Sequence, residues 1–266
     1  MDIHSVQAID VHAHYGLNVT KKSKLLDRLA SGDGNTVVQR ARVANTRLTV
    51  VSPLTALFPR LEGDAVAGNI EAREVVAQTP GLLQWVVVNP LAPKTYEQAC
   101  SMLALPTCVG IKIHPEEHGY PIIKHGQKLF EFASDQTAVM ITHSGEQNSM
   151  PADFVKFAND FPEVRLITSH LGCGWDDDPG HQVRAISQAK HGNVYVDTSS
   201  AKSITPGLVE WAVAEIGAER ILYGTDSPLY FAPMQRARID YAEIPDAAKQ
   251  RILCQNAEEL LEISKT

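Results

Sequence analysis

The sequence runs to 266 residues, 44% hydrophobic and 21% charged, with a net charge of −7, a composition that suits one large α/β domain rather than a low-complexity chain. An isoelectric point near 5.8 and the lack of a dense Lys/Arg run argue against nucleic acid as a partner, and the longest apolar runs, such as Val86-Val87-Val88, are far too short to cross a bilayer. Cys100, Cys108, Cys173 and Cys254 form no C-x-x-C pair and no secretory signal is evident, so the expectation is a cytoplasmic protein with reduced thiols.

Val6 to His14 predicts the first strand, ending in Asp10-Val11-His12-Ala13-His14. Side chains two apart on a strand share a face, so His12 and His14 should aim two imidazoles at one point, with Asp10 one layer deeper. A polar segment with Lys21-Lys22-Ser23-Lys24 and Ser31-Gly32-Asp33-Gly34-Asn35 holds a short helix, then a second around Thr36 to Val43. Arg47 to Val51 is the second strand, followed by a loop from Pro53 to Asp64 and a helix from about Ala65 to Gln78. Leu83 to Val88 is the third strand and Pro93 to Leu103 its helix, with Pro93 suited to a first turn.

The fourth strand, Val109 to His114, ends in His114-Pro115, and its helix runs to about Ser134. Ala138 to His143 is the fifth strand, Ala152 to Asn159 a helix, and Val164 to His170 the sixth strand. A helix from about Gln182 to His191 leads to the seventh strand, Val194 to Thr198, and a helix from Thr205 to Ile216. The eighth strand, Arg220 to Asp226, ends at Asp226-Ser227-Pro228, and a final helix covers about Asp246 to Ile263. Eight alternations with short connections call for parallel strands and right-handed crossovers, closing as a (β/α)8 TIM barrel in a single domain, residues 1–266. An open doubly wound sheet is disfavoured because Asp10 to Tyr15 holds no G-x-G turn.

Active sites of such barrels sit at the C-terminal ends of the strands. Those ends carry His12 and His14, His114, His143, His170 and Asp226. A nitrogen and oxygen set without thiolate suits zinc, with manganese or iron as less favoured occupants.

Asp10-Val11-His12-Ala13-His14, Gly110-Ile111-Lys112-Ile113-His114-Pro115, Ile141-Thr142-His143-Ser144-Gly145, Ser169-His170-Leu171-Gly172 and Gly224-Thr225-Asp226-Ser227-Pro228 resemble the amidohydrolase superfamily. More narrowly, they resemble its amidohydrolase-related branch, which includes aminocarboxymuconate-semialdehyde decarboxylase and pyrone-dicarboxylate lactonase. The likeness covers essentially the whole chain, down to Gln255-Asn256-Ala257-Glu258-Glu259-Leu260-Leu261. It implies a barrel of the metallo-dependent hydrolase type in which His12, His14, His143 and Asp226 hold one divalent metal, with His170 as a non-ligand or second-metal histidine. Three neutral imidazoles and a carboxylate leave coordination positions open, and a bound cation brings the pKa of its water towards about 7. Asp226 could take a proton from that water, and His170 could polarise a carbonyl or pass the proton on.

Lys112 shares a face with His114, and a buried ammonium needs a counter-charge. Asp10 could supply it, making Lys112 a structural or substrate-facing lysine, or a carbamylated Lys112 could bridge two metals, as the resemblance to binuclear members allows. His114 is open between substrate binding and packing under the following loop. His118 reads as a solvated loop histidine, and His4, His125, His181 and His191 as structural or exposed. Asp197 reads as an outward or core-satisfied carboxylate, with a catalytic role the lesser option. Arg60 could pair with a substrate carboxylate or lie in solvent. Trp175 and Tyr230 could wall a pocket or pack within loops, and Ser199 and Glu146 are weaker candidates.

The main reading is a metal-dependent hydrolase that activates water against an ester, lactone or amide of a small organic acid. The alternative is a metal-dependent decarboxylase of an aromatic or muconate-type acid, and a third is a barrel that serves only as a scaffold. A small molecule is the expected partner, with homo-oligomerisation left open.

Overall fold

The computed structural model describes residues 2–19, 23–58 and 63–264. Eight strands form one sheet in the order of the chain: β1 (Ala8–Tyr15), β2 (Thr46–Pro53), β3 (Leu82–Val87), β4 (Cys108–Ile113), β5 (Met140–Thr142), β6 (Leu166–Thr168), β7 (Val194–Asp197) and β8 (Ile221–Leu222). Every neighbouring pair is parallel. The first and last strands close the ring, because Val11 N donates to Tyr223 O at 2.9 Å and the His12 carbonyl accepts from the amides of Thr225 (3.2 Å) and Asp226 (2.7 Å). With helices between successive strands, this is the expected (β/α)8 barrel.

Alternation along the strands sorts the core into two layers. Ile111, Ile113, Leu166, Val194 and Val196 face outwards, packed with Phe130, Phe154, Leu208 and Val209 of the surrounding helices. Val50, Trp85, Ile141, Ile167 and Leu222 fill the barrel itself, joined at its N-terminal end by Ala257, Leu260 and Leu261 from the chain's last helix. Gly110 makes room for the largest of these: a Cβ there would stand 2.7 Å from the Trp85 ring and 2.3 Å from the Val139 carbonyl oxygen.

β1 departs from simple alternation. Asp10 pairs with Thr49 but Ala13 with Val51, so three steps on β1 match two on β2. This is a bulge, with one extra residue inserted into the strand. Ile9 and Val11 therefore join the inner apolar layer, yet His12 and His14 also face inwards, towards the mouth. Asp10 is left off the inner face. Its Oδ1 accepts from the amides of His12 (3.0 Å) and Thr225 (3.1 Å), and its Oδ2 from the Thr225 hydroxyl (2.5 Å). The pairing of Asp10 with Lys112, one of the two alternatives raised for that lysine, does not occur, because the bulge turns the carboxylate away.

Several helices begin on side-chain caps that satisfy otherwise orphaned amides. Asp33 caps Gly34–Val43 and Asp64 caps Ala65–Gln78. A helix at Ala232–Asp240 was not expected from sequence, and the single final helix expected from about Asp246 to Ile263 is interrupted by a π-helical turn over Arg251–Gln255. No described helix is long and apolar enough to cross a membrane.

Candidate metal centre and active site

The C-terminal strand ends surround a cavity of about 260 Å³. Its floor carries His12, His14, His143, His170 and Asp226; Leu57, Phe58, Leu229 and Tyr230 supply an apolar wall, and His114, Glu117, Glu146 and Cys173 complete the rim. The six strand-end residues anticipated from sequence thus line one cavity.

Hydrogen bonds fix which nitrogen of each imidazole carries a proton. Carboxylates and carbonyls only accept, so a ring nitrogen facing one must donate. His12 Nδ1 donates to Asp197 Oδ2 at 2.9 Å, and His14 Nδ1 donates to the Ser52 carbonyl at 3.0 Å. In the neutral form each ring therefore turns the Nε2 lone pair to the cavity. Lys112 Nζ donates into His12 Nε2 at 2.9 Å. His14 Nε2 lies 2.9 Å from Asp226 Oδ1, with His12 Nε2 at 3.7 Å from the same oxygen.

Ligand atoms of His12, His14 and Asp226 all lie within 4.8 Å of one another. Two acceptors as close as His14 Nε2 and Asp226 Oδ1 need a positive centre between them. A shared proton can serve, and so can a divalent cation. The donor set fits such an ion. Its imidazoles are already held in the metal-binding tautomer by Asp197 and Ser52, as outer partners of metal-bound histidines do.

His143 stands apart from that trio. Its ring stacks on His114 at 4.3 Å between centroids, its Nδ1 meets His170 Nε2 at 3.0 Å, and its Nε2 lies 3.3 Å from Glu146 Oε2 without forming a hydrogen bond. The structure gathers three of the four ligands implied by resemblance and places the fourth on the same cavity with an unsatisfied nitrogen.

Burial and the lysine charge push His12 down to about 4, and burial pushes Lys112 down to about 8 against the pull of Asp197 and Asp226. Burial works to raise the Asp226 carboxyl, but a proton shared with His14 and the neighbouring imidazoles hold it well below the carboxylate range. Burial and the neighbouring His143 hold His170 well below an ordinary imidazole. Both His170 and Asp226 adopt left-handed backbone, φ 72° and 56°, a region uncommon outside glycine and often found at functional positions. Gly224 lets this floor close: a Cβ there would sit 3.2 Å from His12 Cβ and 3.3 Å from Asp197 Cβ.

Asp197 is the residue that sequence reasoning undervalued. It is fully buried and faces inwards, and it groups with His12 and His170 in a second cluster of ligand-type atoms. The signal was period two: Tyr195 packs against the inner layer, so Asp197 shares its face. His118 corrects another expectation. It is buried and donates from Nε2 to the Ala56 carbonyl at 3.0 Å, because the helical turn Pro115–His118 folds it under the rim rather than into solvent. Tyr230 lines the cavity, whereas Trp175 is 58% exposed and does not. Arg60 lies outside the described residues.

The sequence matches the family model for amidohydrolases over residues 9–263. The chain belongs to the amidohydrolase family. No curated protein resembles this amidohydrolase closely enough to count as a match. Among solved structures it is similar to 2,6-dihydroxybenzoate decarboxylase from Rhizobium, at 14% identity and a TM-score of 0.75, over 97% of this chain and 99% of that one. It is also similar to a dihydroxybenzoic acid decarboxylase from Polaromonas sp. JS666 with bound manganese and 2-nitroresorcinol, at 14% identity and a TM-score of 0.76, over 98% of each chain. A third, 5-carboxyvanillate decarboxylase from Sphingomonas paucimobilis, shares 12% identity at a TM-score of 0.71, over 98% of this chain and all of that one. At such identities the likeness is one of fold. This amidohydrolase is a metal-binding enzyme by family and by its histidine and aspartate groups.

Proposed function

We propose that the chain is a divalent-metal-dependent decarboxylase of a small aromatic or muconate-type carboxylic acid. The cavity carries this reading. It offers about 260 Å³, with polar donors on the floor and Leu57, Phe58, Leu229 and Tyr230 along one wall. Since a cavity of roughly 150 Å³ holds benzene, this one accommodates a single ring with a few substituents. End-to-end likeness to decarboxylases of hydroxylated benzoates supports the choice over hydrolysis, the main reading from sequence.

His12, His14 and Asp226 would hold the cation, with His143 facing the same cavity. The ion would supply positive charge to grip the substrate's carboxylate and adjacent oxygen. Asp197 and Ser52 keep His12 and His14 in the tautomer that leaves Nε2 bare. Decarboxylation replaces the carboxylate on carbon with a proton and releases carbon dioxide. His170 lines the cavity floor as an acceptor beside the substrate, and the proton placed on carbon would be the substrate's own hydroxyl proton, relayed by Asp226. Asp226 would accept the substrate's hydroxyl proton. The apolar wall keeps water away from the ring.

A second reading has one observation in its favour. Lys112 Nζ sits against His12 Nε2 within the ring of donors, where a carbamylated lysine could hold a second cation shared with His143 and His170. That arrangement suits hydrolysis of a lactone, ester or amide.

The protein loaded with Mn2+ or, separately, Zn2+ should release carbon dioxide from 2,6-dihydroxybenzoate, 5-carboxyvanillate or a related ring acid. His14→Ala, which removes a ligand, should lower metal affinity roughly 100-fold or more and abolish turnover. Incorporation of oxygen from labelled water into a ring-opened product, with no carbon dioxide evolved, would decide for hydrolysis instead.

A further inference from the structure

A cluster behind the cavity floor is not used by the ligand set itself. Asp197 Oδ1 accepts from the His170 amide at 3.1 Å and the Ser199 amide at 3.0 Å, and it also takes the Ser199 hydroxyl in a close contact. The same hydroxyl oxygen lies 2.8 Å from His170 Nδ1 and 3.0 Å from His12 Nδ1. All of these groups are buried.

A hydroxyl has one proton to give. Asp197 Oδ1 already accepts two backbone amides and Oδ2 takes the His12 Nδ1 proton, so the carboxylate has only lone pairs to offer. It therefore takes the Ser199 proton. The Ser199 oxygen then has only lone pairs for its imidazole neighbours, and His170 Nδ1 must donate to it. We infer that Ser199 is a positioning residue that fixes His170 with its proton on Nδ1 and its lone pair on Nε2.

The consequence reaches the cavity. His170 Nε2, stripped of its proton, accepts from His143 Nδ1 across 3.0 Å. His143 is then obliged to carry its proton on Nδ1 and, as a neutral ring, to turn its Nε2 lone pair to the cavity, 3.3 Å from Glu146 Oε2. One serine hydroxyl thus sets the tautomers of two imidazoles in series. Without it, nothing on that side of His170 prefers Nδ1–H, and the reverse arrangement would send a proton towards His143 and the cavity.

This inference deepens the proposed decarboxylase, but its decisive readout does not need the substrate. The protein is loaded with Zn2+, which is diamagnetic, and the ring nitrogens of His170 and His143 are read by 15N NMR in wild type, Ser199→Ala and Ser199→Thr. The expected result is Nδ1-protonated rings in wild type and in Ser199→Thr, which keeps the hydroxyl, and loss of that preference in Ser199→Ala. With an acid that is turned over, kcat of Ser199→Ala should fall roughly 10–100-fold while KM and zinc content stay close to wild type, and Ser199→Thr should recover most of the loss. An unmoved tautomer in Ser199→Ala overturns the inference whatever happens to rate. So does a loss of zinc and fold that Ser199→Thr fails to repair, since that marks a packing role. If no ring acid is turned over, the decarboxylase reading fails while the nitrogen signals still decide this one.

Discussion

The buried carboxylates around β1 behave oppositely, and their surroundings say why. Asp197 and Asp226 face imidazoles and stay ionised, whereas Asp10 faces only amides and a hydroxyl, and burial pushes it up to about 8. A carboxyl raised on folding binds a proton that the unfolded chain has already released, so its contribution to stability falls as pH rises from about 4 towards about 8. Asp10→Asn removes that titration and can still bond Thr225 and the His12 amide. Its melting temperature should therefore gain on wild type between about pH 5 and pH 8, a difference calorimetry reads directly. A constant difference would mean that Asp10 is ionised throughout. At this scale the sequence was partly legible. Strand-end histidines and Asp226 stand out because their residue types are few and their positions periodic. Asp197 did not, because β7 ends at Asp197 and not at Thr198 as the pattern suggests, so a terminal residue passed for a mid-strand one.

At the scale of elements, small residues and one insertion decide which side chains share the barrel. Gly110 is a tight case within the sheet, since any Cβ meets the Trp85 ring and the Val139 carbonyl. Gly110→Ala should lose about 1–3 kcal/mol in urea unfolding through overpacking, and Trp85 fluorescence would report the displaced ring. The β1 bulge could not be read from the sequence, because a local pattern does not reveal how many residues oppose it on the partner strand. The helix Ala232–Asp240 escaped for a different reason. It lacks an apolar stripe; it is anchored by buried Arg236, which donates to the carbonyls of Ile3 (3.0 Å) and Val6 (2.8 Å) and to Asp240 Oδ1 (2.8 Å). The helix Ala65–Gln78, by contrast, was recovered to the residue.

Over the whole molecule, chemistry and stability sit at opposite ends of one barrel. The mouth gathers titratable groups, while Leu260 and Leu261, at the end of the helix Asn256–Leu260, pack with Leu48 and Leu83 at the other end. Leu260→Ala should lower stability by about 2–5 kcal/mol and leave metal affinity unchanged, as paired denaturation and metal titrations would reveal. A coupled loss of affinity would show that the two ends are not independent. Alternation of strands and helices made this architecture readable, but not the cavity's volume, which depends on loops that carry no period. The ring closure described above also has a bearing on biosynthesis. His12 emerges from the ribosome early and Asp226 late, yet the carbonyl of one takes the amide of the other. If His12, His14 and Asp226 hold the cation as proposed, a nascent chain can offer it that complete set only after translation has passed the eighth strand, and capture of the ion would then mark that the circle has been joined.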